Sequence, residues 1–146
     1  MNIELVPLLS EDGDMDEIVR IHHQPSVARY ISISDNYFNY VTETDNVVYL
    51  KIKSGSEVLG GIHFETQDQM IYLSICVDER FRRQGIACSA LKQFLEIVSD
   101  NVNAIEVSID STNLPSICLF EKLGFRQVGN EDGLLMYRLD PDRLHL

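Results

Sequence analysis

Three runs rich in β-branched and aromatic residues follow one another with barely room to turn between them. They are NVVYLKIK, VLGGIHFET and MIYLSICV, separated only by SGSE and QDQ. Runs of this composition bounded by short polar linkers predict strands, and connections this short permit only antiparallel neighbours. Residues 46–77 therefore predict a three-stranded antiparallel meander. Gly60 and Gly61, inside the middle run, predict a bulge or a close approach of another backbone.

The flanks add helices and four more strands. NIELVPL predicts a first strand; Asp12 or Asp14 then caps a helix in which Met15, Ile18, Val19 and His22 recur at helical spacing until Pro25 stops it. SVARYI predicts a second, short helix, and SISDNYFNYVTET is a polar segment studded with aromatics. After the meander, Ile86, Ala90, Leu91, Phe94, Leu95 and Val98 follow Gly85 at helical spacing and predict a helix of about four turns. AIEVSI is another strand, and LPSICLFEKL a short helix with Pro115 in its first turn, where a missing N–H costs nothing. Gly124 stops that helix, and FRQVG and LLMYRL, around NEDG, form a closing hairpin. The expected fold is α/β in the α+β sense: a mixed sheet built from an N-terminal antiparallel meander, then β-α-β-α and a C-terminal hairpin, with helices on its faces. The 146 residues, 45% apolar, are expected to make one domain over 1–146.

Charge narrows the function classes. The net charge is −11, and the first 68 residues hold twelve acids against four bases. Such a surface argues against nucleic acid and anionic membrane and suits small cations or basic peptides. No stretch has the length and apolarity of a membrane span, and the N-terminus lacks a basic leader, so a cytoplasmic protein is expected. Cys76, Cys88 and Cys118 form no CxxC pair, which leaves no framework for a zinc site or a disulfide set. Against this acidic background Arg80, Arg82, Arg83 and Lys92 crowd a window without a single acid, at the mouth of the helix that follows Gly85. Unpaired N–H groups at a helix start, the positive end of its dipole and forked guanidinium groups together suit an anion, a pyrophosphate above all. GxxxxGK[ST] and GxGxxG are both absent, which removes the main support for a nucleoside triphosphate or dinucleotide reading.

The stretch VDERFRRQGIACSALKQFL resembles the acetyl-CoA signature of the GNAT family of N-acetyltransferases, Arg/Gln-x-x-Gly-x-Gly/Ala after a strand ending in an apolar residue and an acid; the matching residues are Arg82, Gly85 and Ala87. Further on, NLPSICLFEKLGF is similar to that family's later motif, an Asn followed by a short helix ending in Tyr-Glu-Lys-Leu-Gly-Phe. QPSVARYI is also similar to an early helix of the ribosomal-protein acetyltransferase branch. The resemblance implies that Ile75, Cys76 and Val77 offer backbone groups to the pantetheine arm of acetyl-CoA. By the same token Arg82, Arg83, Gln84, Gly85, Ile86 and Ala87 hold its pyrophosphate, Cys88 and Ser89 lie at the edge of that pocket, and Asn113, with Ser116 and Phe120 on its helix, meets the cofactor arm.

It also implies direct transfer of an acetyl group to an amine, with a backbone N–H near Val77 as oxyanion donor. Two positions depart from the family pattern. Phe120 stands where a Tyr often protonates the leaving thiolate, and Ser108 where the ribosomal-protein branch has a Glu base. Glu106, two residues earlier on the same strand face, is the substitute base expected here. For the acceptor, Tyr72, Ser74 and Glu65 are the expected contacts, with His63 beside Glu65 on its strand. Ordinary packing or exposure is the competing account for each. His22 and His23 are expected at the surface or as caps, and Tyr30, Tyr37, Phe38 and Tyr40 either cover the acceptor or pack in the core. The expected partners are acetyl-CoA and a primary amine (a peptide N-terminus, a polyamine or a small amine), with a homodimer through the terminal hairpin. An acyl-CoA-binding module with little transfer activity, or an interaction domain without catalysis, are the alternatives.

Overall fold

The computed structural model describes residues 2–98 and 102–140. Its elements run β1 (Glu4–Pro7), α1 (Met15–His22), α2 (Pro25–Ala28), α3 (Tyr37–Glu43), β2 (Val47–Ser54), β3 (Glu57–Gln67), β4 (Met70–Val77), a 3-10 turn at Glu79–Phe81, α4 (Ile86–Ile97), β5 (Ala104–Asp110), α5 (Leu114–Lys122), β6 (Arg126–Glu131) and β7 (Leu134–Leu139). The strands form one sheet in the order β1-β2-β3-β4-β5-β7-β6. All neighbours are antiparallel except β4 and β5. The expected mixed α/β sheet, with its meander and closing hairpin, is present, and α3 is an addition to it.

Strand periodicity sorts the side chains onto two faces. Leu50, Ile52, Ile62, Leu73, Ile105, Val107 and Tyr137 share one, against Ile86, Ala90, Leu91 and Phe94 of α4 and Phe120 of α5. Phe94 is fully buried and meets Phe64 edge-on at 4.9 Å between centroids. Burial of such side chains is the main source of stability, about 1.5–3 kcal/mol each. The opposite face carries α1, α2 and α3, with Ile18, Ile21, Val27, Tyr37 and Val41 packed on Tyr49 and Cys76.

Both expectations for the paired glycines are met. Register shifts between Ile52 and Lys53, opposite Gly60 and Val58, and a Cβ at Gly60 would collide with the carbonyl of Cys76. At Gly61 a Cβ would fall inside the Tyr49 ring and hydroxyl. The missing side chain there is the space that Tyr49 fills.

The second face buries polar groups, and two expectations change there. Asp12 and Asp14 do not cap α1 with their side chains; they accept from the ammonium of buried Lys51 at 2.9 and 2.8 Å, and Asp14 also from Lys53 at 2.8 Å. His22 is not at the surface but 3% exposed, its Nε2 2.7 Å from the Tyr49 hydroxyl and 3.6 Å from Cys76 Sγ, and its Nδ1 has no partner among the described residues. Burial lowers the His22 pKa to about 4 and raises that of Cys76 to about 11. Only His23 keeps the expected exposed place, its ring bonding the Val19 carbonyl.

Candidate functional site

A parallel pair set into an antiparallel sheet opens the site. β4 and β5 pair only from Met70 with Ala104 to Leu73 with Val107. Beyond that β4 continues against β3 and β5 against β7, so the two strands part. The N–H of Asp78 bonds the Leu59 carbonyl on the β3 side. Alternation along the strand then turns the N–H and C=O groups of Ile75 and Val77 toward the gap. Backbone groups that need partners thus line a cleft of about 680 Å³.

The cleft's floor and first wall collect most of the residues that the sequence singled out. Ser74, Ile75, Cys76 and Val77 line it from β4, and Val107, Ser108, Ile109 and Asp110 from β5. Arg82, Arg83, Gly85, Ile86, Ala87 and Cys88 line it at the start of α4. Gly85 has φ 74° and Arg83 φ 63°. The left-handed region is natural for glycine and strained for arginine, and such strain gathers at working sites. The turn it creates leaves the first N–H groups of α4 facing the cleft's mouth, and Arg82 reaches back along it, its Nε 3.4 Å from the Val77 carbonyl. From α5, Asn113, Ser116 and Phe120 line the far end. The Asn113 side chain accepts from the Ser116 N–H at 3.4 Å and so caps α5, which leaves its NH₂ group as a donor.

Other expected residues lie elsewhere. Gln84 and Ser89 do not line the cleft; the Ser89 N–H makes an early bond of α4, to the Gly85 carbonyl. Tyr72 and Glu65 also stand outside it, paired across β3 and β4. Glu65 accepts from the Tyr40 hydroxyl and lies 3.0 Å from His63, whose other nitrogen lies 2.8 Å from the Tyr37 hydroxyl. Glu106, expected as substitute base, shares the Ser108 face but turns to Arg138 on β7, 3.0 Å away, its direct cross-strand partner. The strand alternation was right; the competing cation 32 residues downstream was not visible. Tyr37 packs in the core, and Tyr30 alone of the suggested lid lines the cleft.

Arg80 belongs to a different task from Arg82 and Arg83. It pairs with Asp78 at 2.8 Å, as Arg20 of α1 does at 2.7 Å, and Gln24 donates to the same carboxylate at 2.9 Å. Asp78 is wholly buried, yet these donors outweigh burial and hold its pKa well below the usual carboxylate range. One carboxylate thereby ties α1 and the start of α2 to the turn that leads into α4.

Of the second wall, only Tyr30 was singled out in the sequence as a cover for the acceptor. Arg29, Tyr30 and Ile31, after α2, face β5 across the cleft, and the Tyr30 hydroxyl lies 3.4 Å from Thr112 Oγ1. Thr112 donates from both N–H and hydroxyl to Asp110 Oδ1, at 2.8 and 2.7 Å, and these bonds lower the Asp110 pKa. Asp110 is the one carboxylate lining the cleft among the described residues.

Comparison with known proteins agrees with this geometry. A family model described as an acetyltransferase (GNAT) domain matches residues 2–126. The chain is 25% identical over 138 residues to an L-amino acid N-acetyltransferase of Escherichia coli K12, covering 86% of this chain and 85% of that protein. Among solved structures, the spermidine N-acetyltransferase of Vibrio cholerae in complex with CoA and spermine superposes with a TM-score of 0.84 at 13% identity, over 99% of this chain and 98% of the other. The ribosomal-protein-S18-alanine N-acetyltransferase of Escherichia coli gives 0.77 at 16% identity, over 95% and 94%. At those identities the two structures show a shared fold.

Proposed function

The chain belongs to the GNAT acetyltransferase family, and from that premise we propose that it transfers the acetyl group of acetyl-CoA directly to a primary amine held in the β4/β5 cleft. The parting of β4 from β5 carries this reading. It leaves Ile75 and Val77 without a partner strand on the β5 side, next to an arginine-flanked helix start that lines the same cleft. The residues suit acetyl-CoA: an extended amide-bearing arm can pair with the free edge of β4 as one more strand, and a pyrophosphate can take the N–H groups after Gly85 together with Arg82 and Arg83. Acetyl-CoA would supply a thioester carbonyl already activated toward amines.

The chain's own groups have three tasks. The Val77 N–H, aimed into the gap, donates to the carbonyl oxygen as negative charge develops there. Asp110 holds the incoming ammonium and takes its proton toward solvent, with Ser74 and Ser108 available as hydroxyl partners beside it. Asn113 orients the arm from the end of α5. Proton return to the departing thiolate is the weak step, because Phe120 is buried against Phe125 and has nothing to donate. That last observation favours a second reading, a module that binds acyl-CoA and transfers slowly.

Titration calorimetry with acetyl-CoA and with free CoA tests the donor site, and thiol release in the presence of amines tests the reaction. Arg83→Glu is expected to weaken CoA binding by about tenfold or more through lost charge-assisted bonds while the thermal midpoint holds. Unchanged affinity would remove Arg83 from the site. Phe120→Tyr is expected to raise the turnover rate if proton return is limiting; no gain would show that the thiolate leaves unaided.

A further inference from the structure

The acceptor wall carries opposite charges that do not meet. Arg29 lies at the end of α2 with its guanidinium 5.2 Å from the centroid of the Tyr30 ring. Stacking on an aromatic face holds the fork in place while its N–H groups stay available. In a chain of net charge −11, an arginine beside a carboxylate ordinarily closes an ion pair. Arg20, Arg80, Arg126 and Arg138 all do. Arg29 does not: among the described residues it reaches no carboxylate within 4 Å, although it lies near enough to Asp110 to help lower that group's pKa. Asp110 in turn spends Oδ1 on Thr112, and its Oδ2 has no partner among the described residues. Both residues line the same cleft.

A ligand that completes such a site carries one charge of each sign a few atoms apart. We propose that the acceptor is an α-amino acid or a close amino-carboxylate, its ammonium on Asp110 and its carboxylate forked by Arg29. A polyamine would set a second cation against Arg29, and an internal peptide carbonyl would leave the guanidinium without a charged partner. Arg29 is thus a specificity residue for the transfer, and this assignment rests on the transferase reading above. The reaction remains balanced as acyl transfer: the ammonium first gives one proton to solvent by way of Asp110, the neutral amine nitrogen bonds the acetyl carbon, the carbon–sulfur bond breaks, and the second nitrogen proton lost on forming the amide goes to the departing thiolate, which leaves as the CoA thiol.

The test uses matched acceptors on the intact chain with acetyl-CoA: the common L-amino acids, the amine each gives on decarboxylation, and spermidine. At least one amino acid is expected to exceed its decarboxylated partner in kcat/KM by about 10- to 100-fold, the range for a hydrogen-bonded charge pair. Arg29→Ala is expected to erase that ratio by lowering the amino acid alone, and Arg29→Lys to restore part of it. Calorimetry with CoA runs beside each variant. Equal or better use of the decarboxylated amines, turnover of spermidine alone, or no turnover of any amino acid by a protein that binds acetyl-CoA would each overturn the proposal while leaving the donor site standing. Loss of CoA affinity in Arg29→Ala would also overturn it, by moving Arg29 to the donor site. Absence of acetyl-CoA binding by the unaltered chain would overturn the transferase reading itself.

Discussion

The two faces of the sheet are built on different principles. Beneath α4 and α5 the packing is apolar and edge-on aromatic, with Phe94, Phe64, Phe120 and Phe125 at its centre. Beneath α1, α2 and α3 the interior holds Lys51 with two aspartates, wholly buried Asp78, and His22 against Tyr49 and Cys76. Apolar contacts are non-directional and tolerate small shifts, whereas buried charges hold only where every donor meets its acceptor. The first face supplies most of the stability. The second fixes where the helices sit, and so fixes the cleft wall that carries Arg29, Tyr30 and Ile31.

Substitutions can break that contrast in order of size. Phe94→Ala is expected to cost about 3–5 kcal/mol through lost burial and a residual cavity, seen in denaturant unfolding, with CoA affinity retained wherever the fold persists. A loss below about 1 kcal/mol would contradict the apolar account of that face. Asp78→Ala is expected to cost less, about 3 kcal/mol, because Arg20 and Arg80 are partly exposed and water can reach them. Its distinguishing mark is a fall in CoA affinity, since the turn before α4 loses its anchor. A variant equally destabilised but binding CoA normally would show that the tether is not needed for the donor site.

The smallest effect sharpens the comparison through pH. Unfolded histidine takes up a proton near pH 6.5, whereas buried His22 resists until about 4. His22 therefore contributes stability that is present above pH 6.5 and drains away as pH falls through that window, on the order of 2–3 kcal/mol. His22→Leu is expected to flatten the stability profile between pH 6.5 and 4, as followed by thermal melts. Below that range Asp12, Asp14 and Asp78, all with lowered pKa values, continue the loss as they protonate. A profile as steep in the variant as in the parent would mean that His22 is not the titrating group.

What the sequence disclosed follows the same division. Periodicity found β2, β3, β4 and α4 because apolar burial repeats along the chain, and Gly85 was legible because only a few residues accept its backbone. The helix α3 escaped: YFNYVTE is aromatic, β-branched and polar, poor in the residues that favour helices, and it forms by docking Tyr37 and Val41. The partner of Glu106 was hidden because Arg138 stands opposite it only once β7 slots beside β5. Arg80 looked like part of an anion site because its acid, Asp78, lies just outside the acid-free window, and that acid's other partners, Arg20 and Gln24, are more than fifty residues away. Arg29, within QPSVARYI, and Asp110 come to line one cleft only once the fold brings them there.

The anchoring of two walls on Asp78 bears on the timing of catalysis. Where a lid must fold over its guests, the first ligand assembles the place for the second and the kinetics acquire a compulsory sequence. In this chain the turn before α4 and the elements of the opposite wall share one buried carboxylate, Asp78, so on the proposed reading the donor and acceptor surfaces form together as the chain folds. On that reading little affinity is lost to ordering on binding, and no compulsory order of addition is expected.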